Sequence, residues 1–288
     1  MIDRRAFLAA APISVFAAGC LARGVDDGPT DGTEGMVSDR RAGVGVQLYT
    51  LRDVIAADLD AALGDLAGIG YEEVELFQLH GQTPAELRAR LDGHGLRAVS
   101  SHYGLPILQE DLGATVAGAL ELGQRLMVVP SLAPSQRTAE GLAGVAEEFN
   151  RIGDVVRRSG MRFGYHNHDW EFVPLEDGVR PIDILLDRTD PDLVDWQMDI
   201  FWTVHGGADP LEELARRAGR VTSVHVKDRT LDGEMVDVGD GVIDFVGLLA
   251  AAEEQGLEHA FVEHDTPADP MGSVRRSFEH LQAAGVVG

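Results

Sequence analysis

From Gly43 onward, short apolar runs alternate with longer stretches in which apolar residues recur every three or four positions. The short runs are Gly43–Leu48, Glu72–Phe77, Arg97–Ser101, Leu126–Pro130, Arg162–His166, Leu193–Met198, Thr222–Val226 and Ala260–Glu263. Runs of this length, bounded by polar or glycine residues, read as strands. Between them, Leu59, Leu63, Leu66 and Ile69 fall on one helix face, as do Leu142, Val145, Phe149, Ile152 and Val156. Gly70, Gly95, Gly160, Gly219 and Gly256 stand just ahead of the next strand. Helices commonly end on such a residue, because glycine enters the left-handed region without strain. Strand–helix repetition predicts a parallel sheet. Eight such units over residues 43–288 predict an α/β fold, a single-domain (β/α)8 TIM barrel. An open doubly wound sheet would carry a glycine-rich phosphate turn after its first strand. Here Gln47-Leu48-Tyr49-Thr50-Leu51-Arg52 stands in that place, and no P-loop occurs in the chain.

The first 42 residues lack this pattern. Asp3-Arg4-Arg5-Ala6-Phe7-Leu8 opens the chain, and Ala6 to Gly19 carries no charge. A basic start, a short apolar stretch and small residues at its end describe a signal peptide over residues 1–20. The stretch is too short for a spanning helix, which needs roughly 20 apolar residues. The arginine pair followed by Phe7-Leu8 resembles a twin-arginine export signal, which implies an extracytoplasmic protein. Ala17-Ala18-Gly19-Cys20 is similar to a lipoprotein cleavage box, in which Cys20 would become a lipid-anchored terminus; the alternative is a plain cleavage site. Residues 21–42, rich in glycine and acidic side chains, read as a flexible linker.

Composition narrows the partners. The chain has 24 basic against 48 acidic residues, a net charge of −24. A field of that sign repels phosphate backbones and anionic membrane surfaces. The only cysteine is Cys20, which excludes a disulfide framework and a zinc–thiolate site. Lys227 is the only lysine among the basic residues.

The chemistry gathers where a barrel keeps its active site, at the C-terminal ends of the strands. Of ten histidines, His80, His102, His166, His168, His205, His225 and His264 fall at or just after an expected strand end. His94, His259 and His280 are expected on helices or in the opposite loops. Alternation along a strand places His166 with His168, Asp195 with Gln197 and Asp199, His225 with Lys227, and Glu263 with Asp265. Four consecutive strands thus offer an inward histidine or carboxylate at similar depth. Mixed nitrogen and oxygen donors without thiolate suit Mn, Zn, Co or Fe as a divalent ion. A salt-bridged polar plug is the alternative reading. Lys227, on the face of His225, reads as a charge that holds a substrate oxygen or meets an enolate; an ion pair with Asp228 or Glu263 is the alternative. Gly239-Asp240-Gly241 allows a tight turn near the seventh strand exit, where Asp240 either touches substrate or simply turns the chain.

Gly43–Asp53, Val74-Glu75-Leu76-Phe77, Gly164–Phe172, Asp199–Pro210, His225-Val226-Lys227-Asp228, Gly239–Phe245 and Val262-Glu263-His264-Asp265 resemble the xylose isomerase-like TIM-barrel family, whose members are usually named sugar phosphate isomerases/epimerases. The resemblance spans about residues 43–284. It implies one divalent metal held from the fifth to eighth strands, with Asp199, His225 and Glu263 matching three of the usual ligands. The fifth-strand glutamate of the family is replaced by His166 in Tyr165-His166-Asn167-His168. That leaves His166, His168 or Glu171 as the fourth ligand and removes one base of a two-base epimerisation. Trp202 stands where ketose epimerases often carry a substrate-binding histidine, and reads as a sugar platform with His205 nearby and His102 across the mouth. Members with this fifth strand often carry export signals.

The resemblance implies an isomerase or epimerase acting through an enediolate on an unphosphorylated sugar or keto-sugar. Glu263, His168 and Lys227 are the expected acid–base and charge-stabilising groups. The same site would also serve a lyase or hydro-lyase acting on keto-glycosides or keto-polyols. A non-catalytic sugar-binding barrel and an apurinic-site endonuclease are the remaining readings; the net charge of −24 argues against the latter.

Overall fold

A computed structural model describes residues 42–287. The expected signal peptide with Cys20, and the linker up to residue 41, lie outside the described residues.

Eight parallel strands close into a barrel. They are β1 (Gly43–Gln47), β2 (Glu73–Leu76), β3 (Arg97–His102), β4 (Leu126–Val129), β5 (Arg162–His166), β6 (Asp195–Asp199), β7 (Val221–Val226) and β10 (His259–Val262). A small antiparallel hairpin, β8 (Asp228–Arg229) with β9 (Met235–Val236), rises from the end of β7. β10 returns to β1, with Gly43 beside His259 and Val46 beside Val262. Each expected strand is present. The sixth starts two residues late, because the Leu193 and Val194 amides close a turn onto the Asp190 carbonyl instead of joining the ladder.

The helices follow the periodicity. Thr138 caps the helix Ala139–Arg158 by accepting from the Gly141 amide, and Leu142, Val145, Phe149, Ile152 and Val156 are its buried face. Asp58 caps Leu59–Ile69 in the same way, burying Leu63 and Leu66. These faces pack on the outward residues of the strands. Val46, Val74, Leu76, Val224, Val226, Ala260 and Val262 share one apolar cluster with helical Leu63, Leu66 and Phe278. Met127, Val129, Phe163 and Tyr165 share another with Phe149 and Ile152.

Because side chains alternate, the remaining strand residues face the barrel axis. A barrel interior is ordinarily filled with branched apolar residues. Here the inward set includes Gln47, Glu75, Ser100, His166, Gln197, Asp199, His225 and Glu263, all buried. β1 contributes glycine at Gly45, where an added Cβ would sit 2.8 Å from the Glu73 carbonyl oxygen and 3.0 Å from the Phe261 ring. The missing side chain lets Phe261 close the floor beneath the polar layer.

Asp228, just past β7, fixes the excursion that follows. Its carboxylate accepts from the backbone amides of Arg229, Gly239, Gly241 and Ile243. Asp240 is an exposed turn residue whose amide bonds the Asp237 carbonyl, so the structure gives it the turn role.

Candidate active site

The site is built from strand ends that meet across the axis. Asp199 ends β6, His225 lies on β7 in register with it, and Glu263 follows β10. Each of these three residues offers a ligand atom within 4.8 Å of the others. His225 Nδ1 lies 2.6 Å from Glu263 Oε2, and its Nε2 lies 2.6 Å from Glu75 Oε1. Lys227 Nζ sits 2.9 Å from Asp199 Oδ2, 2.8 Å from Glu263 Oε2 and 2.8 Å from Asp265 Oδ1. The only lysine is therefore a buried ammonium among three carboxylates. Of the two ion-pair partners expected from the sequence, Glu263 is one of these carboxylates, and Asp228 is occupied with backbone amides.

The electrostatics follow from this packing. Burial alone would lower His225, but the Glu263 and Glu75 carboxylates overcome it and raise the imidazole to about 10. Burial works against the charge of Glu263, yet Lys227 and His225 hold that carboxyl well below its ordinary value. Lys227 is held charged in the same way, by Asp199, Glu263 and Asp265 against its own desolvation. Burial keeps two neighbouring imidazoles neutral: His166 lies well below its ordinary value, and His168 is lowered to about 4, with Lys227 adding to the effect.

These residues fit a divalent cation. Asp199 Oδ2 is a buried oxygen whose close partners are the Lys227 ammonium at 2.9 Å and His166 Nε2 at 3.6 Å. Carboxylates of Glu75, Asp199, Glu263 and Asp265 outnumber the cations Lys227 and His225. A divalent ion taking the His225 proton's place would reduce that excess by one charge. An imidazole between carboxylates is the donor set of Mn, Zn, Co or Fe. The salt-bridged plug that the sequence allowed describes the same atoms with protons where the cation would sit.

His166 does lie against this group. Its Nδ1 is 3.1 Å from Gln197 Oε1, and its ring centroid is 4.4 Å from that of His225. His102 joins from β3: its Nε2 is 2.8 Å from Gln197 Oε1, and its ring stacks on His225 at 5.3 Å. His168 packs its ring against His166 and Trp202, and its Nδ1 has no hydrogen-bond partner among the described residues. Trp202 is half-buried beside it, while His205 is exposed and stacks on Phe201, one ring further out. His259 begins β10 at the opposite end of the barrel and pairs with Glu73.

Two buried residues anchor this arrangement from behind. Asn167 Oδ1 accepts from the Trp196 indole and from the Asp199 amide, and Asn167 Nδ2 donates to Thr203 Oγ1, so the end of β5 sets the backbone of Asp199. Glu171 does not approach the metal donors. Its Oε1 accepts from the Tyr165 hydroxyl at 2.5 Å and its Oε2 from the His168 amide at 2.9 Å. Of the three fourth-ligand candidates, Glu171 is thus a support for the His168 turn, and His166 stands nearest the donors.

Sequence reasoning did not single out Glu75, Gln47 or Ser100. Glu75 is fully buried at the centre of the polar layer. Its place in the second run, between Val74 and Leu76 and so on the opposite face from both, was the available signal.

The relatives of this chain agree with the fold. The sequence profile described as xylose isomerase-like TIM barrel matches residues 63–284. Inosose dehydratase of Geobacillus kaustophilus (strain HTA426) is 30% identical over 232 residues, which are 66% of this chain and 74% of that protein. A sugar phosphate isomerase/epimerase from Parabacteroides distasonis ATCC 8503 has a crystal structure that superposes with a TM-score of 0.77 at 28% identity, covering 87% of this chain and 97% of that one. The IOLI protein, whose crystal structure contains a bound zinc atom, shares the fold with a TM-score of 0.66 at 16% identity, over 85% of this chain and 96% of that one.

Glu171 yields a pH test. Burial pushes its carboxyl up to about 7 from an ordinary 4.5, only partly offset by Tyr165 and the backbone amides. A group raised on folding contributes stability that is fully present below the unfolded value and is lost as pH rises through the folded one. Between pH 4.5 and 7 this single group should cost about 3 kcal/mol of folding stability. Glu171→Gln mimics the protonated form, donating to Tyr165 and accepting from the His168 amide. Urea unfolding should show the variant gaining on the wild type as pH rises from 5 to 8. A stability difference independent of pH would show that Glu171 is ionised at both ends of that range.

Proposed function

The chain belongs to the xylose isomerase-like TIM-barrel family, and on that basis we propose that it is a divalent-metal-dependent enzyme acting on an unphosphorylated keto-sugar or keto-polyol, removing the proton beside the carbonyl and expelling a neighbouring hydroxyl as water. The observation that carries this reading is the convergence of Asp199, His225 and Glu263 around the buried ammonium of Lys227. A divalent ion on those donors supplies a Lewis acid against a carbonyl oxygen. Lys227 adds a fixed positive charge for the same oxygen as it becomes anionic. The His168 ring is neutral and its Nδ1 has no hydrogen-bond partner among the described residues, so it is free to accept the proton from the α-carbon. The bond electrons then form the carbon–carbon double bond. Desolvation disfavours the charged imidazole, so His168 readily passes that proton to the departing hydroxyl, which leaves as water.

Water loss is favoured over isomerisation by the fifth strand. A two-base epimerisation wants a carboxylate opposite Glu263. His166 occupies that side as a buried neutral imidazole engaged with Gln197. The dehydratase name of a 30% identical relative supports the same outcome. The likeness to a sugar phosphate isomerase/epimerase structure keeps isomerisation as the second reading. The excess of carboxylates in the mouth disfavours a phosphorylated substrate. We extend the proposal to the compartment: Arg4-Arg5 ahead of an uncharged stretch makes this an exported protein, lipid-anchored if Cys20 is acylated. Replacing both arginines by lysine should leave the precursor in the cytoplasm; unchanged export would sink the twin-arginine reading.

Keto-sugars and keto-polyols incubated with metal-loaded protein in D₂O should show, by NMR, loss of one C–H and a new olefinic or enol product. Deuterium entering without water loss would select isomerisation instead. Lys227→Met should lower turnover by about 10²–10³-fold while metal content is kept, and Lys227→Arg should not restore it, because a planar fork cannot place a compact charge at the same point. Near-normal turnover in Lys227→Met would make the lysine a structural ion-pair partner only.

A further inference from the structure

Glu75 has no role in the scheme above, yet it is the most heavily coordinated side chain in the barrel. It is fully buried on β2. Its Oε1 accepts from Gln47 Nε2 at 2.8 Å and faces His225 Nε2 at 2.6 Å and His102 Nε2 at 3.1 Å. Its Oε2 accepts from Ser100 Oγ at 2.5 Å and from Gln197 Nε2 at 2.8 Å. Gln47, Ser100 and Gln197 donate hydrogens that they cannot withdraw without leaving a buried donor unpaired, so the carboxylate is kept as an acceptor.

We propose that Glu75 is a positioning residue that fixes His225 with a hydrogen on Nε2 and so presents the Nδ1 lone pair to the metal beside Asp199 and Glu263. An ionised carboxylate can only accept, so the imidazole nitrogen facing it must be the donor. Facing Glu75 and Glu263, the ring holds a hydrogen on each nitrogen; an ion that takes the place of the Nδ1 hydrogen leaves the one on Nε2, and Nδ1 then carries the lone pair. That other nitrogen, Nδ1, is the one that lies 2.6 Å from Glu263 Oε2, on the side of the donor group. The carboxylate behind the ring also makes the imidazole a stronger donor. Gln47 and Ser100 aim Glu75 from β1 and β3, and Gln197 aims it from β6, so four strands set the direction of one metal ligand on a fifth.

This inference rests on the metal site proposed above, and the test separates the two. Co²⁺ affinity is measured by chelator competition, with the visible spectrum of bound Co²⁺ read alongside, for the wild type, Glu75→Gln and Glu75→Asp. If the wild type binds no Co²⁺ at this site, the metal reading fails and the inference fails with it. If the wild type binds one Co²⁺, Glu75→Gln should bind it about 10–100-fold more weakly with a shifted spectrum. Glu75→Asp, which keeps the charge, should recover part of the affinity. Wild-type affinity and an unchanged spectrum in Glu75→Gln would overturn the positioning role and leave the metal site standing. A measurement on the wild type needs no variant to fold. In the Zn²⁺-loaded protein, long-range ¹H–¹⁵N NMR of the histidine rings should show His225 protonated at Nε2 and coordinated at Nδ1. The reverse assignment would contradict the proposal directly.

Discussion

His225 lies between two carboxylates, Glu75 behind it and Glu263 in front, at 2.6 Å from each. The polar layer at the strand ends is arranged around that contact. A buried carboxylate is costly unless it is paired and hydrogen-bonded. Each charge here therefore brings in the next: Glu263 requires Lys227, Lys227 requires Asp199 and Asp265, and Glu75 requires Gln47, Ser100 and Gln197. The result is a layer of polar groups at the C-terminal half of the barrel, closed below by Phe261 and surrounded by the apolar faces of the strands.

The same network explains why the loops matter. Asn167 ties the end of β5 to the backbone of Asp199, and Glu171 ties the turn bearing His168 to Tyr165. Asp228 gathers the excursion after β7 onto one carboxylate, leaving Lys227, its neighbour, to point inward. A short segment of sequence thus separates into one residue for the site and one for the scaffold at the ends of β5 and β7. His166 serves the site while Asn167 serves the scaffold; Lys227 and Asp228 divide the work in the same way.

The barrel was legible because its signal is repetitive: apolar runs, amphipathic helices and glycines before the next strand all carry the same period. Asp199, His225, Lys227 and Glu263 were legible because two-residue alternation at a strand end states which face each occupies. Glu75 was not, because its partners lie on other strands, His225 being 150 positions away, and no local spacing encodes a contact across the axis. Glu171 stood third among the fourth-ligand candidates because it follows His168 closely; the 3-10 turn Trp170–Phe172 instead carries it back toward Tyr165. The start of the sixth strand was misplaced for a similar reason, since Leu193 and Val194 are apolar but their amides are taken by a turn.

The central claim is that one divalent cation is held by Asp199, His225 and Glu263, and X-ray absorption spectroscopy of the zinc-loaded protein tests it most directly. The account predicts a first shell of nitrogen and oxygen neighbours at about 2.0–2.2 Å, with outer-shell scattering from no more than two imidazoles. Scattering from three imidazoles would place the ion instead on the His102, His166 and His225 group, the other set of converging donors among the described residues, and would contradict the account.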